Sequence, residues 1–188
     1  MHALGQVANF KFEDDIDLFI FRYSLNSILP SDIAVINLQK AEENFHSRFD
    51  ARKRSYIFLF SRYKNPFYKL YSYFYHGSIE CNTLHELSKE FLGEHDFTSF
   101  AKKNTDTENK VCHVYEIAWK EWKGLVIFKI EADRFLHGMV RTIVGTLLNA
   151  SKHGYKSSYI NDVLDAHDRK TAGESVPAKG LFLYKVKY

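Results

Sequence analysis

The spacing of apolar positions along the 188-residue chain changes several times, and each change marks an element. Over residues 5–12, Phe10 and Phe12 fall on one face and Val7 on the other, the two-residue period of a strand, with Gly5 bending the chain before it. After the acidic turn "EDDID", residues 17–29 place Leu18, Phe21, Leu25 and Ile28 on one side of a helix that Pro30 stops. Residues 32–39, "DIAVINLQ", predict a short buried strand. Residues 52–61, "RKRSYIFLFS", alternate into another, and "YKNPF" turns out of it. The aromatic stretch "YSYFYHG" reads as extended, an edge or a crossover.

The later pattern is clearer. From Asn82, "NTLHELSKEFLG" is a helix with Asn82 as its cap, Leu84, Leu87 and Phe91 as its stripe, and Gly93 as its end. Two strands follow at 111–119 and 125–132, joined by "KEWKG"; then come a long helix over 134–151, a shorter one over 158–167, and a closing strand "GLFLYKVKY". Strands outnumber helices, and helices sit between strands in both halves. The predicted class is α+β: a mixed, mostly antiparallel sheet with helices packed on one face. Residues 1–77 and 78–188 each read as a strand–helix–strand set, two pseudo-symmetric halves of one continuous domain.

Composition adds a core and a mild charge bias. Hydrophobic residues are 45% of the chain, enough for a packed interior, and aromatics are 16%, more than a core alone needs; the surplus suits strand faces or base-stacking platforms. The net charge of +3 is compatible with a polyanionic partner without demanding one. The local cluster "RFDARKR" (Arg48, Arg52, Lys53, Arg54) is more suggestive, as a solvated face or a phosphate-binding one. Two cysteines, Cys81 and Cys112, lie in unrelated contexts, which argues against a disulfide scaffold or a zinc site. No apolar run reaches membrane-spanning length and no leader is recognisable, so the chain reads as cytoplasmic with no membrane association.

The helix in "ADRFLHGMVRTIVGTLL" carries the most chemistry. Phe135, Met139, Ile143 and Leu147 recur every four residues, with Leu136, Val140 and Val144 beside them, as on a deeply buried helix. Arg141 lies inside this run, and a guanidinium there needs a carboxylate or phosphate to offset its desolvation. It is either half of a structural ion pair or the group that keeps an active-site carboxylate ionised. His137 reads as a hydrogen-bonded core residue, and Gly138 and Gly145 as points of close approach by another backbone or by RNA. No side-chain spacing suits a metal, and no glycine loop suits a nucleotide; neither metal nor cofactor is expected.

Five stretches in order, "LNSILPSDIAV" (25–35), "FHSRFDARKRSYIF" (45–58), "LGEHDFTSF" (92–100), "ADRFLHGMVRTIVGTLL" (132–148) and "KGLFLYKVKY" (179–188), resemble the tRNA pseudouridine synthase A (TruA) family. The resemblance runs essentially from Met1 to Tyr188. It implies the pseudouridine synthase fold and an isomerase, without cofactor, that turns uridine into pseudouridine in the anticodon stem-loop of tRNA, working as a homodimer. Tyr56 matches the family's active-site tyrosine, the ring expected against the flipped uracil. Arg141 matches the arginine paired with the catalytic aspartate, and Leu183 looks like part of the pocket wall. Arg48, Arg52, Lys53 and Arg54 would face phosphates. Where the family has Arg-Tyr-Arg-Tyr-like text this chain reads "RSYIF", one basic position fewer.

The family's nucleophile is the aspartate of a Gly-Arg-Thr-Asp-x-Gly-x-His motif. Here His2 matches the last residue of that motif and Met1 the one before it, so the aspartate is expected three places ahead of Met1, together with the family's first strand and helix. Asp50, Asp96 and Asp133 lie near family motifs, but none stands where the nucleophile belongs. On this reading the chain is cut just after the catalytic-aspartate motif, has no nucleophile of its own, and is inactive alone. The alternative is a non-catalytic tRNA-binding relative or a decayed gene product that keeps Tyr56, Arg141 and the basic stretch.

Overall fold

The computed structural model describes residues 1–13, 15–103 and 107–188. The chain divides into two compact units, Met1–Gln6 with Ala51–Tyr188 and, separately, Val7–Asp50.

In the larger unit the strands β1 (His2–Ala3), β2 (Lys53–Ser61), β3 (Tyr73–Phe74), β4 (Gly93–Asp96), β5 (Val111–Trp122), β6 (Leu125–Ala132) and β7 (Leu181–Lys187) form one sheet. Its order is β1-β7-β2-β6-β5-β4, with β3 beside the end of β2 that β7 does not reach. Pairing is antiparallel except for β1 on β7 and β3 on β2. The chain is therefore α+β with a largely antiparallel sheet, as the alternation of 52–61, 111–119 and 125–132 predicts.

Register fixes which side chains face inward. Tyr56, Phe58 and Phe60 of β2 stand opposite Ile130, Phe128 and Val126 of β6, and Ile130 and Phe128 in turn face Ile117 and Trp119 of β5. Phe58, Phe60, Val126, Phe128 and Ile130 are all fully buried. Burial stabilises each by about 1.5–3 kcal/mol. The helices α2 (Cys81–Ser88), α3 (Met139–His153) and α4 (Ser157–Asp165) add Leu84, Met139, Ile143, Leu147 and Ile160 to the same cluster, so they cover this one face. The indole Nε1 of Trp119 donates to the Ser88 hydroxyl at 2.9 Å, satisfying its polar edge inside the core.

Two glycines shape α3. Gly138 caps its start at φ 81°, in the left-handed region, so the helix begins at Met139 and not at 134. Phe135 consequently precedes the helix. At Gly145 a Cβ would lie 1.7 Å from the Glu174 carbonyl oxygen: the close approach expected there is made by the backbone of residues 174–176. The smaller helix starts at Cys81 behind Glu80, so Asn82 lies within its first turn and does not cap it. His137 is exposed, and its carbonyl accepts from the Lys102 amide at 2.8 Å.

The strand expected over 5–12 does not form; β1 lies ahead of it at His2–Ala3. The amides of Leu4 and Gly5 both turn onto the Leu183 carbonyl, at 2.8 and 3.3 Å, which ends the pairing. In the smaller unit, α1 (Leu18–Ile28) is capped by the Asp17 carboxylate, which accepts from the amides of Phe19 and Ile20. Leu18, Phe21 and Leu25 are half-buried along the expected stripe, whereas Ile28 is exposed. Residues 32–39 form no strand. The Asn26 amide both donates to the Val35 carbonyl and accepts from its N–H, and Arg22 donates to the Ile36 carbonyl, so helix side chains take the groups a neighbouring strand would have paired.

Candidate active site

Tyr56 sits in the middle of β2 on the helix-covered face, directly opposite Leu183 of β7 and Ile130 of β6. Its ring meets Phe135 edge-on, with centroids 5.0 Å apart at 83°. The side chain is half-buried, and its hydroxyl has no hydrogen-bond partner among the described residues. Burial pushes the phenol up from its ordinary value, partly opposed by the positive charge of Arg54. It is thus a neutral ring with a free O–H, walled by aliphatic and aromatic carbon.

Arg141 lies in the first turn of α3, half-buried. Its Nε donates to the Val176 carbonyl at 2.5 Å, and the Val176 amide returns a bond to the Arg141 carbonyl at 3.2 Å. No carboxylate pairs with it among the described residues. Held through Nε, the guanidinium keeps its two terminal nitrogens for another acceptor. The contacts tie Tyr56 to Leu183 and Phe135, and Arg141 to Val176, five residues before Leu181.

Within the larger unit, neighbouring residues of the basic stretch turn to opposite faces of the sheet. Arg54 donates from Nη1 to the Asp133 and Ala51 carbonyls at 3.1 and 3.4 Å, tying β2 to the turn after β6. Lys53 points to the other face of the sheet, its ammonium 3.7 Å from the centroid of the Tyr115 ring. Arg52 is exposed, its amide bonded to the Lys187 carbonyl at 2.9 Å. Arg48, in the smaller unit, is exposed with its guanidinium over Phe49.

The acids near family motifs are engaged by backbone. Asp96 accepts from the Thr98 amide at 2.7 Å. Asp133 accepts from the amides of His113 and Arg134 at 2.9 and 2.6 Å, bridging β5 and the turn after β6. Asp50 accepts from the His46 amide at 2.7 Å. Two partners escape a sequence reading. Phe135 is disguised as a helix-stripe residue, though the glycine three places on could have signalled that the helix starts later. Val176 offers only a carbonyl, which no pattern reveals. Among the described residues no group of three or more His, Cys, Asp or Glu side chains gathers as metal ligands.

Residues 87–188 match the family model described as tRNA pseudouridine synthase. Over its whole length the chain is 37% identical to a "tRNA pseudouridine synthase A" of Bacteroides thetaiotaomicron, covering 71% of that protein. The chain belongs to the tRNA pseudouridine synthase family. Proteins of the same name from Bacillus subtilis (36% identical) and Parabacteroides distasonis (38%) also align with all of it, and the chain covers 77% and 75% of their lengths. A solved structure, "Crystal Structure of a Cbf5-Nop10-Gar1 Complex", matches 50% of this chain and 25% of its own at TM-score 0.32 and 17% identity, a likeness too slight to inform the fold.

Proposed function

We propose that this chain is the larger part of a cytoplasmic tRNA pseudouridine synthase that acts on uridines of the anticodon stem-loop as a homodimer, with 1–77 and 78–188 as the two halves of its catalytic domain. The observation that carries this reading is the whole-length likeness to relatives named tRNA pseudouridine synthase A. In the reaction the N1–C1′ bond breaks, the uracil turns in place, and C5 bonds to C1′; C5 gives up its proton and N1 gains one. The base must first leave its stack. Tyr56, backed by Leu183 and Phe135, supplies a flat apolar wall for the detached ring. Its raised phenol pKa keeps the hydroxyl a neutral donor near the ribose.

Arg141 is the partner of the nucleophilic aspartate, holding it ionised through the nitrogens that Val176 leaves free. Sheet topology supports this pairing. His2 and Ala3 run parallel to Phe182 and Leu183. Chain entering β1 therefore arrives from the Leu181 end of β7, the end that leads back to Val176 and Arg141. A motif ending at His2 would deliver its aspartate towards that end. No described acid of the chain takes this place, so the 188 residues alone bind tRNA without turning it over.

The test is equilibrium binding of tRNA across a salt series, joined to tritium release from tRNA carrying 5-tritiated uridine. Salt-dependent binding without tritium release is the expected result. Robust turnover by the 188-residue chain would sink the assignment of the nucleophile, and absence of tRNA binding would sink the function. A non-catalytic tRNA-binding relative predicts the same binding, but no turnover even when chain encoded ahead of Met1 is included.

A further inference from the structure

The sheet face away from Tyr56 carries a second basic cluster, and a break in β7 creates it. In β7 the residues Leu181, Leu183, Lys185 and Lys187 alternate, so an unbroken strand would aim all four to one side. The register with β2 shifts between Ser55 and Tyr56: Leu183 stands opposite Tyr56, but Lys185 stands opposite Ser55 and Lys187 opposite Lys53. Tyr184 is the extra residue of a bulge, and the bulge reverses the phase of the strand beyond it. Leu181 and Leu183 stay on the helix-covered side, while Lys185 and Lys187 turn to the other.

There the lysines meet one carboxylate. Glu131, 6% exposed, accepts from the Ser55 hydroxyl at 2.6 Å and from the Lys187 ammonium at 3.0 Å. Lys53 and Lys185 form no ion pair among the described residues. Lys53 instead lies over the half-exposed Tyr115 ring, 3.7 Å from its centroid. Lys53 faces Lys187 across the strands, and Ser55 faces Lys185. The strands are about 5 Å apart and the two rows about 7 Å apart. Lys129 and Glu116, on the same face, neutralise each other in an ion pair at 2.7 Å, which leaves three ammoniums against the one carboxylate of Glu131 on a rigid, strand-borne patch with an aromatic ring at its border. Adjacent lysines repel one another in the free protein, and a string of phosphates relieves that repulsion.

We propose that Lys53, Lys185 and Lys187 form a second contact for the phosphate backbone of tRNA, on the sheet face opposite Tyr56 and outside the stem-loop held there. This rests on the tRNA-binding reading above. The experiment compares the chain with its Lys53→Gln/Lys185→Gln and Lys53→Arg/Lys185→Arg double variants. Lys187 is kept, because it neutralises Glu131. Fluorescence anisotropy against whole tRNA and against an isolated anticodon stem-loop is read across a salt series, after thermal melts show all three proteins folded alike.

The glutamine pair should weaken whole-tRNA binding roughly tenfold and lower the slope of log K against log salt by about 1.5, since each phosphate left without its ammonium accounts for about 0.7–0.9. The arginine pair should restore both, and stem-loop binding should not change. Unchanged tRNA binding by the glutamine pair overturns the proposal, as does an equal loss on tRNA and stem-loop. A change in self-association in place of RNA affinity overturns it too, since the patch would then meet a second copy. If the unaltered chain shows no preference for tRNA over heparin, the functional reading fails and this proposal falls with it; if that preference holds and the variants do nothing, only this proposal falls.

Discussion

Replacing Gly145 with alanine tests how the arginine is held. In an exposed helix the change would stabilise by about 1 kcal/mol through propensity. Here the new Cβ would lie 1.7 Å from the Glu174 carbonyl oxygen and 2.9 Å from its carbon, backbone atoms that no rotamer change can move. Ordinary packing requires the 174–176 segment to retreat by about 1.5 Å. That retreat breaks the two bonds between Arg141 and Val176, the 2.8 Å bond between the Thr142 and Ser175 hydroxyls, and the 2.9 Å bond from the Gly173 amide to Thr146.

Four such bonds at about 1 kcal/mol each, less the propensity gain, give a net loss of about 3 kcal/mol. For a chain of this size the melting temperature should fall by roughly 10 °C. Circular dichroism melts and urea titrations measure both quantities. A Gly145→Ala protein as stable as the parent would refute the packing described for α3 and the segment over it.

Three further outcomes follow from the core and the sheet. Ser88→Ala strands the buried Trp119 N–H and should cost about 1–3 kcal/mol, seen as a lowered urea midpoint by tryptophan emission; an unchanged midpoint would mean that the indole finds another acceptor. Burial pushes the Cys112 thiol up to about 12, so at pH 8 iodoacetamide should spare it in the folded chain and modify it only in denaturant, as mass spectrometry would record. The carboxyl of Glu131 is held below its ordinary value by the Ser55 hydroxyl first and by Lys187 next. Its contribution to stability is present above the ordinary glutamate pKa and is lost as pH falls through the lowered value. Glu131→Gln should therefore flatten the acid limb of stability below the ordinary glutamate pKa, and an unaltered limb would contradict the pairing.

What the sequence discloses tracks where local and tertiary forces agree. The strands at 53–61, 111–122 and 125–132 alternate because one sheet face is covered by helices, so a period of two reports burial directly. Residues 32–39 are apolar enough for a strand, but Asn26 and Arg22 satisfy their backbone, a choice made by side chains outside the window. Motif likeness singles out Tyr56, Arg141 and Leu183, and the register of β7 on β2 sets Tyr56 opposite Leu183. Their surroundings were less legible, because Phe135 mimics a helix stripe until Gly138 breaks it, and Val176 contributes a carbonyl that every residue possesses. Least legible was the facing of Lys185 and Lys187. Alternation alone puts them beside Tyr56, and one extra residue at Tyr184 turns them away.

The account depends most on a nucleophile delivered to Arg141 by chain ahead of Met1. Tritium release from 5-tritiated uridine in tRNA, measured side by side on the 188-residue chain and on the product of the reading frame extended upstream, addresses it directly. The account predicts no release by the former and steady turnover by the latter, abolished when the aspartate of its Gly-Arg-Thr-Asp motif is replaced by asparagine. Turnover by the 188 residues alone, or none by an extended chain that carries that aspartate, would contradict it.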